Sequence, residues 1–248
     1  MSAVEAYSRL AGVYDEIVVD PCFADWAVFL DDLWSEDPDP VRRVLDVCCG
    51  TGLIAAELIP KGYTVVGLDA SEAMLDRARG LLGPDVELHR IVLPDLPLAN
   101  VFDAAISTMD GLNYLSAADL RRTFAALAPR VRPGGWLVFD IHTDAMMEFT
   151  LEHPVVEGEE AGRAFVITSV IDPETRQLDS TIDLTGPTPD ESFSEHHRQY
   201  FHTDEQVRSG LVDAGFTDIT ITDEYTGVPA DARTLRATWI ARRAGGQA

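Results

Sequence analysis

The chain has 248 residues, enough for one globular domain with a sizeable core, and its hydrophobic (46%) and charged (25%) fractions are ordinary for a water-soluble fold. Its formal net charge of -23 repels phosphate backbones and anionic lipid surfaces, and its basic residues are scattered, so neither nucleic acid nor membrane is expected as a partner. Three cysteines, Cys22, Cys48 and Cys49, form neither a disulfide framework nor a zinc spacing, and Met1 to Leu10 lacks a basic-then-apolar export pattern. The chain therefore reads as a cytoplasmic protein with no metal.

Val4, Tyr7, Leu10, Val13/Tyr14 and Ile17 recur at helical spacing, as do Phe23, Trp26, Phe29/Leu30 and Leu33 after Pro21, which predicts two amphipathic helices ahead of the core. Ser35 to Pro40, with two prolines and three acids, reads as a linker. The apolar run at Val44, Leu45 and Val47 then enters Gly50-Thr51-Gly52, and Leu53 to Pro60 returns to helical spacing: strand, glycine turn, helix. Tyr63 to Leu68 is a second buried strand, followed by a helix capped by Ser71 and reaching Leu82, and Val86 to Ile91 is a short third strand. Phe102 to Ser107 is a fourth, Ala117 to Val131 a helix capped by Ser116, and Trp136 to Ile141 a fifth strand after Gly134-Gly135.

Strands alternating with helices imply a parallel, doubly wound α/β sheet, whose ligands lie beyond the carboxyl ends of the strands. Asp46, Asp69, Thr108 to Asp110 and Asp140 to His142 all fall there. From Arg163 the pattern changes: Arg163 to Asp172, Gln177 to Thr185 and Ser192 to His202 alternate or are rich in β-branched and aromatic residues, with no helix between them. They read as a small antiparallel insertion, a lid over an acceptor pocket. Thr203-x-x-Gln206 is a capping box for a helix ending at Ala214-Gly215, and strands near Thr217 to Thr222 and Leu235 to Arg242 complete the sheet. The expected organisation is helices over 1–40, an α/β core over 41–152, the lid over 153–202 and completion of the core over 203–248.

The glycine turn alone does not identify its ligand, since Gly50-x-Gly52-x-x-Ala55 with Asp69 at the end of the next strand also satisfies a loose dinucleotide pattern. Asp46 argues against that reading, because a carboxylate beside the turn repels a pyrophosphate and attracts a cation. The stretches V-L-D-V-C-C-G-T-G (Val44 to Gly52) and G-L-D-A-S-E-A-M-L (Gly67 to Leu75) resemble motifs I and II of class I S-adenosylmethionine-dependent methyltransferases. Y-D-E-I-V from Tyr14, D-G-L-N-Y-L from Asp110, F-D-I-H-T from Phe139 and H-R-Q-Y from His197 resemble the small-molecule branch of that family.

The resemblance implies a Rossmann-like seven-stranded methyltransferase sheet whose last strand is antiparallel, with a β insertion after the fifth strand. S-adenosylmethionine would be the cofactor and S-adenosylhomocysteine the product, with no metal. By the same match Asp46, Gly50 and Gly52 would hold the methionine end, Asp69 the ribose, and Ala70 and Met74 the adenine surroundings, with Tyr14 closing over the cofactor; Cys48, Thr51, Leu93 and Thr108 are further candidate cofactor contacts. One departure is Val92, which stands where the family usually places an acid that accepts from the adenine amino group.

Methyl transfer needs alignment and exclusion of water, with a base where the acceptor must lose a proton. Candidate catalytic residues are His142, Asp110 and one of His196 and His197, which point to opposite faces of a strand; His196, sharing its face with Arg198 and Tyr200, is the expected one. Tyr7, Asn113, Phe193 and Tyr200 are candidate acceptor contacts. The aromatic, histidine-bearing lid favours an aromatic or heteroaromatic natural product, indole- or phenol-like, as the small-molecule acceptor, with an aliphatic amine or amino sugar as the alternative. A nicotinamide-dependent oxidoreductase and a noncatalytic cofactor-binding protein are the rivals from other classes. Against the first stand Asp46 and the lack of an S-x-x-x-Y-x-x-x-K pair. Nothing in the chain specifies an oligomeric state.

Overall fold

The computed structural model describes residues 6–17 and 22–245. Val4, Val18, Pro21 and the last residues of the tail, on which part of the reading above falls, lie outside them. In chain order the elements are α1 (Tyr14–Ile17), α2 (Cys22–Ser35), β1 (Arg43–Val47), α3 (Leu53–Leu58), β2 (Thr64–Asp69), α4 (Glu72–Leu82), β3 (Glu87–Arg90), β4 (Phe102–Ser107), α5 (Ala117–Leu127) and β5 (Val131–His142). The lid region follows with α6 (Asp144–Glu152), β6 (Val155–Glu160), β7 (Arg163–Asp172), β8 (Gln177–Thr185) and β9 (Phe193–Tyr200). Then come α7 (Asp204–Asp213), β10 (Phe216–Asp223) and β11 (Arg236–Arg243).

Seven strands form one sheet in the order β10-β11-β5-β4-β1-β2-β3. β1 to β5 are parallel, while β11 runs antiparallel between β5 and β10. The central strands are near-continuous apolar runs because both faces are covered. One face packs against Trp26, Leu30 and Trp34 of α2 and Ile54 and Leu58 of α3; the other packs against Phe124 and Leu127 of α5 and Val207 and Leu211 of α7. Trp239 of β11 is fully buried and stacks on Phe139 of β5, so the antiparallel strand is tied into the core by aromatic packing as well as by its ladder.

The caps act as their side chains predict. Ser71 and Ser116 accept from the backbone N–H of Met74 and Asp119, and Thr203 with Gln206 closes a full capping box. The chain order of the strands reverses at β1, which pairs with β2 on one side and β4 on the other, and the crevice opens there.

Two elements differ from the sequence reading. Residues 7–17 are not one helix but a strap of a short 3-10 turn (Leu10–Gly12) and the single turn α1, with Tyr7 at φ 61. The cause is Glu195 of β9, whose carboxylate accepts from the backbone N–H of Tyr7 (2.5 Å), Arg9 (2.8 Å) and Leu10 (3.1 Å) and so takes donors that a helix would need. The lid also has four strands, in the order β6-β7-β8-β9, rather than three. β6 escapes the periodicity because its second half, Glu157-Gly158-Glu159-Glu160, consists of residues depleted in strands; it forms by pairing with β7.

Candidate active site

Two neighbouring hollows, which share three lining residues, lie at the carboxyl end of the sheet. The first is an open chamber of about 990 Å³, mouth included, whose wall comes from the glycine turn, the end of β2, the start of α4, the segment after β3 and the turn after β4. Cys48, Gly50, Thr51, Asp69, Ala70, Met74, Leu93 and Thr108 all line it, with Tyr14 over the top. Gly50 sits at φ +55 with nothing within 4 Å of where a Cβ would stand, so it presents bare backbone to the chamber. Asp69 is fixed at both oxygens: Oδ2 accepts from the N–H of Gly50 (2.9 Å) and Oδ1 from that of Ser71 (2.8 Å). Burial raises its pKa against the lowering effect of these backbone bonds. Thr51 donates to Asp15 Oδ1 at 2.6 Å, which ties the glycine turn to the strap.

Asp46 and Gly52 are elsewhere. Asp46 is wholly buried and is not part of the chamber wall, and among the described residues neither of its carboxyl oxygens has a hydrogen-bond partner. Cys49 N–H still bonds to Leu68 carbonyl at 2.8 Å, so the ladder runs past Asp46 and the chain leaves the sheet only at the following turn. Burial, then the nearby Asp69, pushes the Asp46 carboxyl well above the usual range. Asp46, expected to meet a cationic ligand end, thus lies buried next to the glycine turn and does not line the chamber. Gly52, at φ +85, is the N-cap of α3, and a Cβ there would come within 2.8 Å of Leu82. Its role is to let the helix pack. Val92 faces the chamber and Asp95 does not; Asp95 is exposed and lies 3.7 Å from Arg122.

The second hollow, about 830 Å³ with its opening, lies between the strap and the inner face of the lid. Leu10, Ile17, Phe165, Ile167 and Ile182 supply apolar walls, and Asp110, Ser180, His197 and Gln199 supply polar groups. Tyr7, Tyr14 and Tyr114 line both hollows. The turn after β4 serves both as well: Met109 and Gly111 face the chamber and Asp110 faces the second cavity. Met109 (φ 59) and Asp110 (φ 49) are consecutive left-handed residues. Their N–H groups are held by the carboxylate of Asp140, at 2.9 Å and 2.5 Å. Asp140 is completely buried, and burial lifts its pKa to about 6 although Arg236 opposes the rise. Asp110 is in turn fixed by Gln199, which donates to Oδ2 at 2.6 Å, by Arg236 at 3.6 Å and by His142 at 3.8 Å.

The predicted acceptor residues separate. Asp110 and Tyr7 face the cavity. His142 lies behind Asp110 and lines neither hollow, its pKa lowered by burial. Asn113 is fully buried and spent on structure, donating to Tyr200 carbonyl (2.8 Å) and accepting from His142 N–H (3.2 Å). Tyr200 and Phe193 line neither hollow; Arg9 packs over the Phe193 ring. The expectation for the histidine pair is reversed. His196 is exposed on the outer face of the lid, bonded to Thr181 at 2.9 Å, whereas His197 is buried and faces the cavity. Its alternation partner Glu195 is the reason, since the face that carries the strap-binding carboxylate is the inner one. Tyr114 and Gln199 lie in the stretches D-G-L-N-Y-L and H-R-Q-Y, but nothing in the sequence separates them from their neighbours there. Among the described residues no group of three His, Cys, Asp or Glu side chains could hold a metal ion, and no helix is long and apolar enough to cross a membrane.

A family model described as a methyltransferase domain matches residues 44–135. A protein of Geobacillus sp. (strain WCH70) that carries a methyltransferase name is 26% identical over 245 residues, spanning 96% of this chain and 99% of its own. The dTDP-3-amino-3,4,6-trideoxy-alpha-D-glucopyranose N,N-dimethyltransferase of Streptomyces venezuelae is 35% identical over 119 residues, 48% of this chain and 50% of that one. Among solved structures, an S-adenosylmethionine-dependent methyltransferase from Clostridium acetobutylicum ATCC 824 shares the fold with a TM-score of 0.84, at 21% identity over 96% of this chain and 99% of the other.

Proposed function

Since the chain belongs to the class I S-adenosylmethionine-dependent methyltransferases and is of the small-molecule type, we propose that it methylates an amine nitrogen on a small metabolite with a largely apolar body. The residues of the chamber fit the cofactor. Gly50 offers bare backbone to the methionine end, Asp69 keeps lone pairs free for ribose hydroxyls after its two backbone bonds, and Met74, Leu93 and Val92 offer apolar contact to the adenine. When bound, S-adenosylmethionine supplies an electrophilic methyl group on a sulfonium. Tyr7, Tyr14 and Tyr114 line both hollows; there they would orient the acceptor and keep water from it.

The observation that carries the amine reading is the carboxylate of Asp110, set into the acceptor cavity by a turn whose neighbours on both sides line the cofactor chamber. A carboxylate there attracts an ammonium or an N–H group to the point of transfer. The Streptomyces relative, named for N,N-dimethylation of an amino sugar, supports the same acceptor chemistry. The aromatic edges of Tyr7, Tyr14, Tyr114 and Phe165 favour a second reading, a phenol- or indole-like acceptor of the kind found in natural product biosynthesis.

The test is transfer of a labelled methyl group to a panel of amino sugars, alicyclic amines, phenols and indoles, with Asp110→Asn beside the wild type. Amines should be methylated, and the substitution should lower kcat/KM for them by roughly 10- to 100-fold while sparing any neutral acceptor. A preference for phenols or indoles that Asp110→Asn leaves untouched would overturn the amine reading.

A further inference from the structure

The buried face of β9 carries a hydrogen-bonded chain separate from the Asp110 carboxylate. Glu195 Oε1 is 3.1 Å from His197 Nε2, His197 Nδ1 is 2.8 Å from the Tyr114 hydroxyl, and that hydroxyl is 2.9 Å from the hydroxyl of Tyr7. The chain starts at a buried anion and ends where the cofactor chamber meets the acceptor cavity.

Its direction follows from the partners. Burial would raise the Glu195 pKa, but the bonds from His197 and from the N–H groups of Arg9 and Leu10 outweigh it and hold the carboxyl at about 2, so it is an acceptor only. The proton between Glu195 and His197 therefore sits on Nε2. That leaves Nδ1 with a lone pair, which accepts from Tyr114, and the Tyr114 oxygen is then free to accept from Tyr7 or from a ligand. Burial pushes both phenols well above their usual range, so they stay protonated and can pass a proton without storing one.

We propose that Glu195, His197 and Tyr114 form a proton relay which removes the proton that the acceptor heteroatom loses, with His197 as the terminal base acting through the Tyr114 hydroxyl. The acceptor's N–H bond breaks and its proton joins the Tyr114 oxygen. At the same time the Tyr114 O–H bond breaks and that proton joins His197 Nδ1. The electron pair of the N–H bond stays on the acceptor nitrogen, and the result is an imidazolium paired with the Glu195 carboxylate. Tyr7 either bridges the acceptor to Tyr114 by one further identical exchange or steadies the Tyr114 oxygen.

The groups that face His197 are Glu195 from its own strand, Tyr114 from the turn after β4, Tyr7 from the strap and, from β8, the neutral Ser180; Asp110 acts on Tyr114 through space. The buried carboxylate next to the imidazole stabilises the charge that forms there. The strap closes the relay from water, because the same Glu195 carboxylate holds the backbone of Tyr7, Arg9 and Leu10.

The inference rests on the methyltransferase reading only in needing an acceptor with a proton to lose, and a phenol meets that need as well as an amine. The experiment has two arms. In the first, long-range proton–nitrogen NMR of ring-labelled protein bound to S-adenosylhomocysteine reads the tautomer of His197 without any turnover. Protonated Nε2 with bare Nδ1 is expected, with the Nδ1 signal moving in Tyr114→Phe; the opposite tautomer, or no response to Tyr114→Phe, overturns the relay.

In the second arm, Tyr114→Phe and His197→Gln are compared with wild type for two acceptors of different basicity, after S-adenosylhomocysteine binding confirms that each variant is folded. Both variants should lose roughly 10- to 100-fold in kcat with acceptor KM little changed. The wild-type rate should show an acid limb at the same pH for both acceptors, because it belongs to the enzyme, and that limb should vanish in His197→Gln. Wild-type kcat and an unaltered limb in both variants would overturn the proposal. A change of preferred acceptor from amine to phenol with the relay signatures intact would overturn the amine reading and leave the relay standing.

Discussion

Asp140→Asn tests whether the turn after β4 is held by a charge that folding alone does not favour. Two consecutive left-handed residues, Met109 and Asp110, cost about 1–2 kcal/mol each in an L-peptide, and the Asp140 carboxylate offsets this by accepting from both of their N–H groups. That carboxylate is itself expensive: burial moves its pKa from 3.8 to about 6, which at about 1.4 kcal/mol per unit is about 3 kcal/mol against the ionised form. Asparagine removes the buried charge but has one acceptor where two are used, and a buried N–H left unpaired costs about 1–3 kcal/mol. The two effects nearly cancel, so the variant should stay folded at pH 8, within about 2 kcal/mol of wild type. Its turnover should nevertheless fall because Asp110 leaves its place.

The sign with pH is definite. The folded pKa lies above the ordinary value, so the folded wild type takes up a proton between pH 8 and pH 5 that the unfolded chain does not, and it gains stability relative to the asparagine variant as pH falls through about 6. Over that interval the gain is about 1.4 kcal/mol. Urea unfolding of both proteins at pH 8, 7, 6 and 5 measures it, and titrating groups remote from the turn cancel in the difference. A difference that does not change with pH, or that moves against the wild type as pH falls, would show that the clamp is not a buried, destabilised carboxylate.

Asp69→Ala removes a side chain that fixes the glycine turn and lines the chamber; calorimetry should show S-adenosylhomocysteine binding weakened roughly 10- to 100-fold, with the fold retained. His196→Ala should leave turnover and stability at wild-type values in steady-state kinetics and thermal melts, since the ring is exposed and bonded to the Thr181 hydroxyl on the outer face of the lid. Gly52→Ala places a Cβ in a left-handed residue and 2.8 Å from Leu82, and should cost about 1–3 kcal/mol in urea unfolding. Glu195→Gln should destabilise at neutral pH, where the wild-type carboxylate is ionised and fully bonded. The folded pKa of about 2 lies below the ordinary value, so the difference from wild type should shrink as pH falls from about 4.5 toward 2.

What could be read from the chain in advance was whatever depends on local order. β1, β2, β4 and β5 are apolar runs of strand length, and Ser71, Ser116 and Thr203 are caps whose chemistry acts within three residues, so position along the chain was enough to place them. The glycine turn and Asp69 belong to the same class, because a turn and the end of the next parallel strand are brought together by any right-handed crossover. The strap is not legible in the sequence, for the opposite reason. Its apolar residues do have helical spacing, but its backbone donors are claimed by a carboxylate more than 180 residues away, as in the bond from Tyr7 N–H to Glu195 (|i−j| = 188), and no local pattern records that.

The histidine pair shows where the line falls within a single strand. Alternation states that His196 and His197 face opposite ways, but it is silent on which way is inward, and aromatic company favoured the wrong face. The polar neighbour was the better guide. Glu195 shares the face of His197, and a carboxylate two residues from a histidine on one strand face leaves two outcomes: a solvated pair or a buried one with partners supplied from elsewhere. Here the strap supplies three backbone donors and the turn after β4 supplies a phenol, so the buried outcome is the satisfied one. Burial of Glu195 and His197 therefore depends on the strap and the lid meeting, and the cavity between them is complete only once they have met. It follows that an amphipathic reading of the first residues and an aromatic reading of β9 err together, because each treats as self-sufficient an element whose polar groups are satisfied by the other.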